Sequence, residues 1–212
     1  MFKHLPPADS NTPCFCLIRH GQTDWNAAGR IQGLEDIELN AVGRAQAAQT
    51  GVYLQQWQWD RIISSPLKRA AESAEIIASQ LNLASVEIMD VFMERDYGEC
   101  SGMTTAQRKH SFPDGIIPKQ ETLETLQKRA LAGLQQLTIE PQARTLIVTH
   151  GGLINSLLAQ FTNGEIGSGK TILHNASLAL FQYQHNNWQI LAYNLTTHLR
   201  SELNHIALSD RL

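Results

Sequence analysis

Two hydrophobic rhythms alternate along the chain. Residues 14–18, 61–64, 86–89 and 145–149 are short, largely apolar runs bounded by polar or glycine-containing stretches, as expected of strands covered on both faces. Between them the spacing changes to that of helices. Residues 40–55 are rich in alanine and open on Asn40, a good cap; residues 65–81 open on Ser65-Pro66, a capping hydroxyl followed by proline at the first helical position. Residues 121–137 place Leu123, Leu126, Ala130, Leu134 and Leu137 along one face, and an apolar helix reaching Phe161 follows Gly151-Gly152. Residues 177–184 and 188–193, separated by His185-Asn186-Asn187, have the pattern of a hairpin.

Strands alternating with helices predict a mainly parallel α/β sheet with helices on both faces. The first 13 residues, with three prolines, read as a loose N-terminal arm, and residues 14–212 as a single domain. Residues 97–119, rich in glycine, proline and polar side chains, read as a short lid.

Composition narrows the function classes. The 212 residues are 42% hydrophobic, enough for a substantial core, and the net charge of −3 with scattered basic residues lacks the footprint of a nucleic-acid binder. No run has the length of a membrane span or the design of a signal peptide, so a cytoplasmic protein is expected. Cys14, Cys16 and Cys100 form no CxxC pair and read as free, packed thiols.

In parallel sheets ligands gather beyond the carboxyl ends of the strands. Three such ends carry cationic or imidazole groups: Arg19-His20-Gly21, Lys68-Arg69 and His150-Gly151-Gly152. Arginine forks match phosphate oxygens, and backbone N–H groups near Gly21 and Gly151, with the helix start beyond Gly152, add donors. No GxxxxGK[ST] loop, HExxH or carboxylate cluster is present, so the expected guest is a phosphomonoester, with no metal or nucleotide cofactor required. With no activated serine or cysteine in view, the nucleophile falls to an imidazole. His20, fixed by a strand and adjoining Arg19, is preferred. Glu94, just beyond the third strand, is the candidate proton donor and acceptor, with Asp96 and Glu99 as neighbouring carboxylates. Arg95 and Tyr97 are candidates for the pocket mouth. His4, His110, His174, His185, His198 and His205 fall outside these blocks and are assigned surface or structural roles.

Leu17-Ile18-Arg19-His20-Gly21-Gln22-Thr23-Asp24-Trp25-Asn26 resembles the RHG signature of the histidine phosphatase superfamily, the phosphoglycerate mutase-like proteins. The resemblance continues, in the family's order, through Arg30-Ile31-Gln32-Gly33, the block from Ser64 to Ala74, Glu94 with Gly98, and Val148-Thr149-His150-Gly151-Gly152. It implies a three-layer α/β/α sandwich and a histidine acid-type phosphatase without a metal. By resemblance, His20 is the phosphorylated residue, Arg19, Arg69 and His150 hold phosphate, Glu94 is the acid and base, and Asn26 and Thr23 contact the phosphoryl group or substrate.

Two departures bear on substrate: where family phosphatases often carry Trp-Glu-Gly after the glycine that follows the acid, this chain reads Gly98-Glu99-Cys100-Ser101-Gly102. Glu94-Arg95-Asp96-Tyr97-Gly98 is similar to the Glu-Arg-His-Tyr-Gly of true mutases, but only 55 residues separate Glu94 from His150, without the long mutase insertion. A short lid admits water and favours hydrolysis. The expectation is therefore a phosphatase acting on a small phosphorylated metabolite, with a phosphoprotein as a second class of partner. The alternatives are a primer-dependent phosphoglycerate mutase and a non-catalytic phospholigand or protein-binding module on the same fold.

Overall fold

The computed structural model describes residues 13–139 and 144–199. All but the last residue of the expected N-terminal arm, together with His4 and His205, lies outside the described residues. Six strands form one sheet in the order β3-β2-β4-β1-β5-β6. The strands are β1 (Cys14–Arg19), β2 (Arg61–Ser64), β3 (Val86–Ile88), β4 (Arg144–Thr149), β5 (Leu178–Gln184) and β6 (Asn187–Leu195). The first four run parallel, and β5 and β6 add an antiparallel hairpin beside β1.

The helices are α1 (Asp24–Ala27), α2 (Ala41–Leu54), α3 (Lys68–Leu81), α4 (Thr105–Ser111), α5 (Leu123–Leu137) and α6 (Gly151–Phe161). Alternation along the strands divides the core in two. Phe15, Leu17, Ile63, Ile147, Ala179 and Phe181 face Leu126, Leu134, Ile154 and Leu157 of α5 and α6. Cys16, Ile18, Ile62, Leu146, Val148 and Leu180 face Leu54, Ala70, Ala74 and Ile77 of α2 and α3. The result is the expected α/β/α sandwich, and Cys14, Cys16 and Cys100 are free and buried.

The predicted elements need four corrections. The helix predicted from Ser65-Pro66 begins at Lys68, because Ser65 Oγ turns to His150 and the Lys68 N–H is taken by Asp36 Oδ1 at 2.7 Å. Helix α5 starts two residues late, at Leu123 with Thr122 as cap, and Leu123 is exposed rather than on the buried face. The hairpin turn is shorter than expected: His185 and Asn186, at φ 51° and 59°, suit a two-residue turn whose twist matches the flanking strands. Two short helices escape the periodicity, α1 and α4. Each is closed by a capping box, Thr23 with Asn26 and Thr104 with Gln107, instead of by a buried face.

Candidate active site

The carboxyl ends of β1 and β4 lie side by side, with Arg19 in register with Thr149, so the next residue of each chain segment is a histidine at the same rim. The His20 N–H donates to Thr149 O at 2.9 Å, and the two imidazoles lie with centroids 5.2 Å apart. Both rings are buried.

His20 Nδ1 is 2.7 Å from Gly21 O. A carbonyl only accepts, so Nδ1 carries the proton and the lone pair is left on Nε2. Burial, reinforced by Arg69 and Arg19, pushes the His20 pKa well below the ordinary value and keeps the ring neutral. His150 is held neutral by the same causes, burial first and then Arg69. Its Nε2 lies 2.8 Å from Ser65 Oγ, which also accepts the Leu67 N–H at 3.3 Å.

Close backbone approach fixes the turn after β1. A Cβ on Gly21 would sit 2.3 Å from Gly43 O, and one on Gly43 would sit 2.1 Å from Gln22 O, so the first turn of α2 packs directly against the residue after the histidine. The Gly21 N–H donates to Ser73 Oγ at 3.0 Å, and Ser73 Oγ donates to Arg69 O at 2.7 Å, which ties this turn to α3.

Arg69 is fully buried. Its Nη1 and Nη2 donate to Glu35 O (2.6 Å) and Gly33 O (2.7 Å). Its Nε has no hydrogen-bond partner among the described residues, nor has Nδ1 of His150. Buried polar groups are ordinarily satisfied, so these orphaned atoms beside two guanidiniums mark a place made for an anion. Arg19 Nη1 donates to Leu173 O at 2.5 Å, which aligns its guanidinium along the same rim.

Glu94 faces this cluster from the loop after β3. Its carboxylate accepts N–H groups from Arg95 (2.8 Å), Gly152 (3.0 Å) and Leu153 (3.1 Å), the last two at the start of α6. Tyr97 lies alongside; burial, then the charge of Glu94, raises its pKa, so the phenol stays protonated. Arg19, His20, Asn26, Arg69, Glu94, Tyr97 and Gly151 line one cavity of about 270 Å³.

Three of the expected site residues are not in the lining: His150, which is fully buried beside the His20 ring, Arg95 and Thr23. Arg95 does not line this cavity: its Nε donates to Glu121 O (2.8 Å) and its Nη2 to Gln120 Oε1 (3.1 Å), with its guanidinium 5.6 Å from the Tyr97 ring centroid, so it braces the loop. Thr23 is also absent from the lining. Its hydroxyl donates to Asn26 Oδ1 and accepts the Asn26 N–H, both at 3.1 Å, which orients Asn26.

Sequence reasoning missed several supporting residues. Asn175, in the loop before β5, donates to Asn26 Oδ1 at 3.1 Å and to the carbonyls of His20 and Gly21. Gly152 leaves the space that Glu94 and Tyr97 occupy, since a Cβ there would lie 2.5 Å from Glu94 Oε1. Gln32, Gly33, Asn155 and the stretch Thr171-Ile172-Leu173 complete the cavity wall. Gln32, Gly33 and Gly152 lie inside the blocks that carry the family resemblance but receive no role there, whereas Asn155, Asn175 and the stretch Thr171-Ile172-Leu173 leave no signal in the sequence. Among the described residues no group of His, Cys, Asp and Glu side chains is arranged to hold a metal ion, and no helix is long and apolar enough to cross a membrane.

A parallel sheet that brings two neutral histidines, two arginines and a carboxylate to one rim defines a protein built to handle a compact oxyanion such as phosphate. The chain belongs to the histidine phosphatase superfamily (branch 1), whose family model matches residues 15–196. It is 45% identical over 185 residues, 87% of this chain and 95% of its relative, to the uncharacterized phosphatase PhoE of Bacillus subtilis. It is 33% identical, over 81% of this chain and 86% of the relative, to the probable phosphoglycerate mutase GpmB of Proteus mirabilis. Among solved structures, the phosphoserine phosphatase of Entamoeba histolytica in complex with 3-phosphoglyceric acid superposes with a TM-score of 0.77 at 28% identity, over 89% of this chain and all of that one.

Proposed function

We propose that the protein is a phosphomonoesterase of small phosphorylated metabolites that works without a metal, through a phosphohistidine on His20. One observation carries the reading: the Nδ1–H of a buried, neutral His20 is committed to Gly21 O, which leaves the Nε2 lone pair beside Arg69 and Arg19. Similarity to a phosphatase at 45% identity supports hydrolysis over isomerisation.

Nε2 attacks phosphorus as the ester P–O bond breaks, and protonated Glu94 gives its proton to the departing alkoxide. Water then attacks the phosphoryl group, giving its proton to the Glu94 carboxylate as the P–N bond breaks. His20 returns as the neutral imidazole. Arg19, Arg69 and His150 stabilise the charge on the transferred oxygens, with donors already positioned before reaction. Guanidiniums thus stand where a Lewis acid would otherwise serve. Because the histidines stay neutral well below their ordinary range, turnover is expected to persist into acid, as the acid-type class requires.

Phosphate release from a panel of phosphomonoesters with chelator present, by wild type and His20→Ala in parallel, tests this reading. Release that vanishes in the variant is expected. Comparable release from a folded His20→Ala protein overturns the nucleophile assignment, and bisphosphate-primed isomerisation without release identifies a mutase.

A further inference from the structure

A second cavity, of about 650 Å³, adjoins the first and shares Arg19, Asn26, Arg30 and Ile31 with it. It continues over Ala28 and Gly29 to Thr104, Thr105 and Ala106. The junction of the two cavities, whose wall includes Arg30, offers room for the rest of an ester whose phosphoryl group is held at His20.

Arg30 is held there by main chain on two sides. It forms an antiparallel bridge with Thr104, the neighbouring Ile31 N–H donates to Met103 O at 2.9 Å, and the Gly102 N–H donates to Ile31 O at 2.7 Å. Its side chain is exposed, with Nη1 donating to Gly102 O at 2.8 Å. The guanidinium makes no ion pair among the described residues. Glu94 is the single carboxylate lining either cavity. Of the three arginines in the two linings, Arg69 is sealed at the phosphoryl end and Arg19 flanks His20, so Arg30 is the cation left for the remainder of the substrate.

We infer that Arg30 is a specificity-determining residue, and that the leaving group of the physiological substrate carries a second anionic group that this guanidinium binds. The inference rests on the phosphomonoesterase reading given above. A guanidinium already oriented by one hydrogen bond on a braced backbone loses less freedom on binding, and its remaining N–H groups match the paired oxygens of a carboxylate or a second phosphate. The two anions are separable by experiment.

Glycerol 3-phosphate and 3-phosphoglycerate differ by a hydroxymethyl against a carboxylate, and propane-1,3-diol bisphosphate supplies a second phosphate. Wild type should favour an anionic leaving group in kcat/KM, and Arg30→Gln should lower the ratio of anionic to uncharged substrate on the order of tenfold, mainly through KM. Arg30→Lys should recover part of that ratio. The uncharged ester serves as the internal control for disturbance of the loop, because only the ratio reads the charge. A wild-type ratio at or below one, or equal losses on both esters in Arg30→Gln, overturns the inference. Calorimetric binding of the same compounds to His20→Ala, with and without Arg30→Gln, reads the Arg30 contribution when turnover fails. Selective loss of anionic binding there sustains the inference even if the hydrolytic reading falls, and unchanged selectivity overturns it.

Discussion

At Gly152 the space for a methyl group is already filled by two side chains, with Glu94 Oε1 2.5 Å and Tyr97 Oη 2.7 Å from where a Cβ would stand. The same residue donates its N–H to Glu94 Oε2. Gly152→Ala is therefore expected to displace the carboxylate and cut kcat on the order of 10²-fold, with the fold intact by circular dichroism. Gly151→Ala meets only the Arg19 side chain, at 3.2 Å from its Nε, and should fall much less. Steady-state kinetics of the pair check the difference. The contrast shows how a two-glycine run divides its duties: one residue clears space for the Glu94 carboxylate, the other skirts a side chain able to give.

Among the elements, α5 has a role that its periodicity does not announce. Arg129 projects from it to donate to Val91 O (2.9 Å), Met93 O (2.7 Å) and Glu94 O (2.8 Å), and is itself held by Glu121 at 2.8 Å. It positions the loop that carries Glu94. Arg129→Met keeps the side-chain volume but strands three carbonyls, and should lower stability by about 2 to 3 kcal/mol while reducing kcat more than it raises KM. Urea midpoints and kinetics measured together test both halves. This contact marks where sequence reasoning stops. Apolar spacing reveals that α5 packs, and the RHG block and the Gly151-Gly152 step reveal which strand ends carry chemistry. A single arginine reaching three carbonyls 35 to 38 positions earlier leaves no periodic trace. The same holds for Asn175 and for Ser65, whose local propensity as a cap yields to a partner 85 residues away. Arg95 fails for the converse reason: adjacency to Glu94 says nothing about which way its side chain turns.

Across the whole molecule, the far end of the described chain returns to α2 and to the loop before β5. His198 stacks on Tyr53 with centroids 5.1 Å apart, and its Nε2 lies 3.1 Å from both Ala176 O and Thr50 Oγ1. It thereby braces the loop that carries Asn175. Burial pushes its pKa down to about 4. The unfolded chain, with histidine near its ordinary value of about 6.5, then binds more protons than the folded one between those two values. The stability this neutral ring confers is complete above pH 6.5 and is lost as the pH falls toward 4. His20 and His150, also depressed, act in the same direction. In His198→Phe the urea midpoint should consequently fall less between pH 7 and pH 5 than in wild type; an equal fall in both proteins would remove His198 from the account.

The pairing of β1 with β4 places His20 and His150 side by side although 129 residues separate them in the chain. Such a contact is among the slowest for a polypeptide to find, because the entropy of closing so long a loop must be overcome before the pairing stabilises anything. His20 consequently meets Arg69 and His150 only when the parallel sheet has closed at its centre. A full-length but half-folded chain holds each of these residues without their juxtaposition, so the constellation at this rim is a product of completed folding.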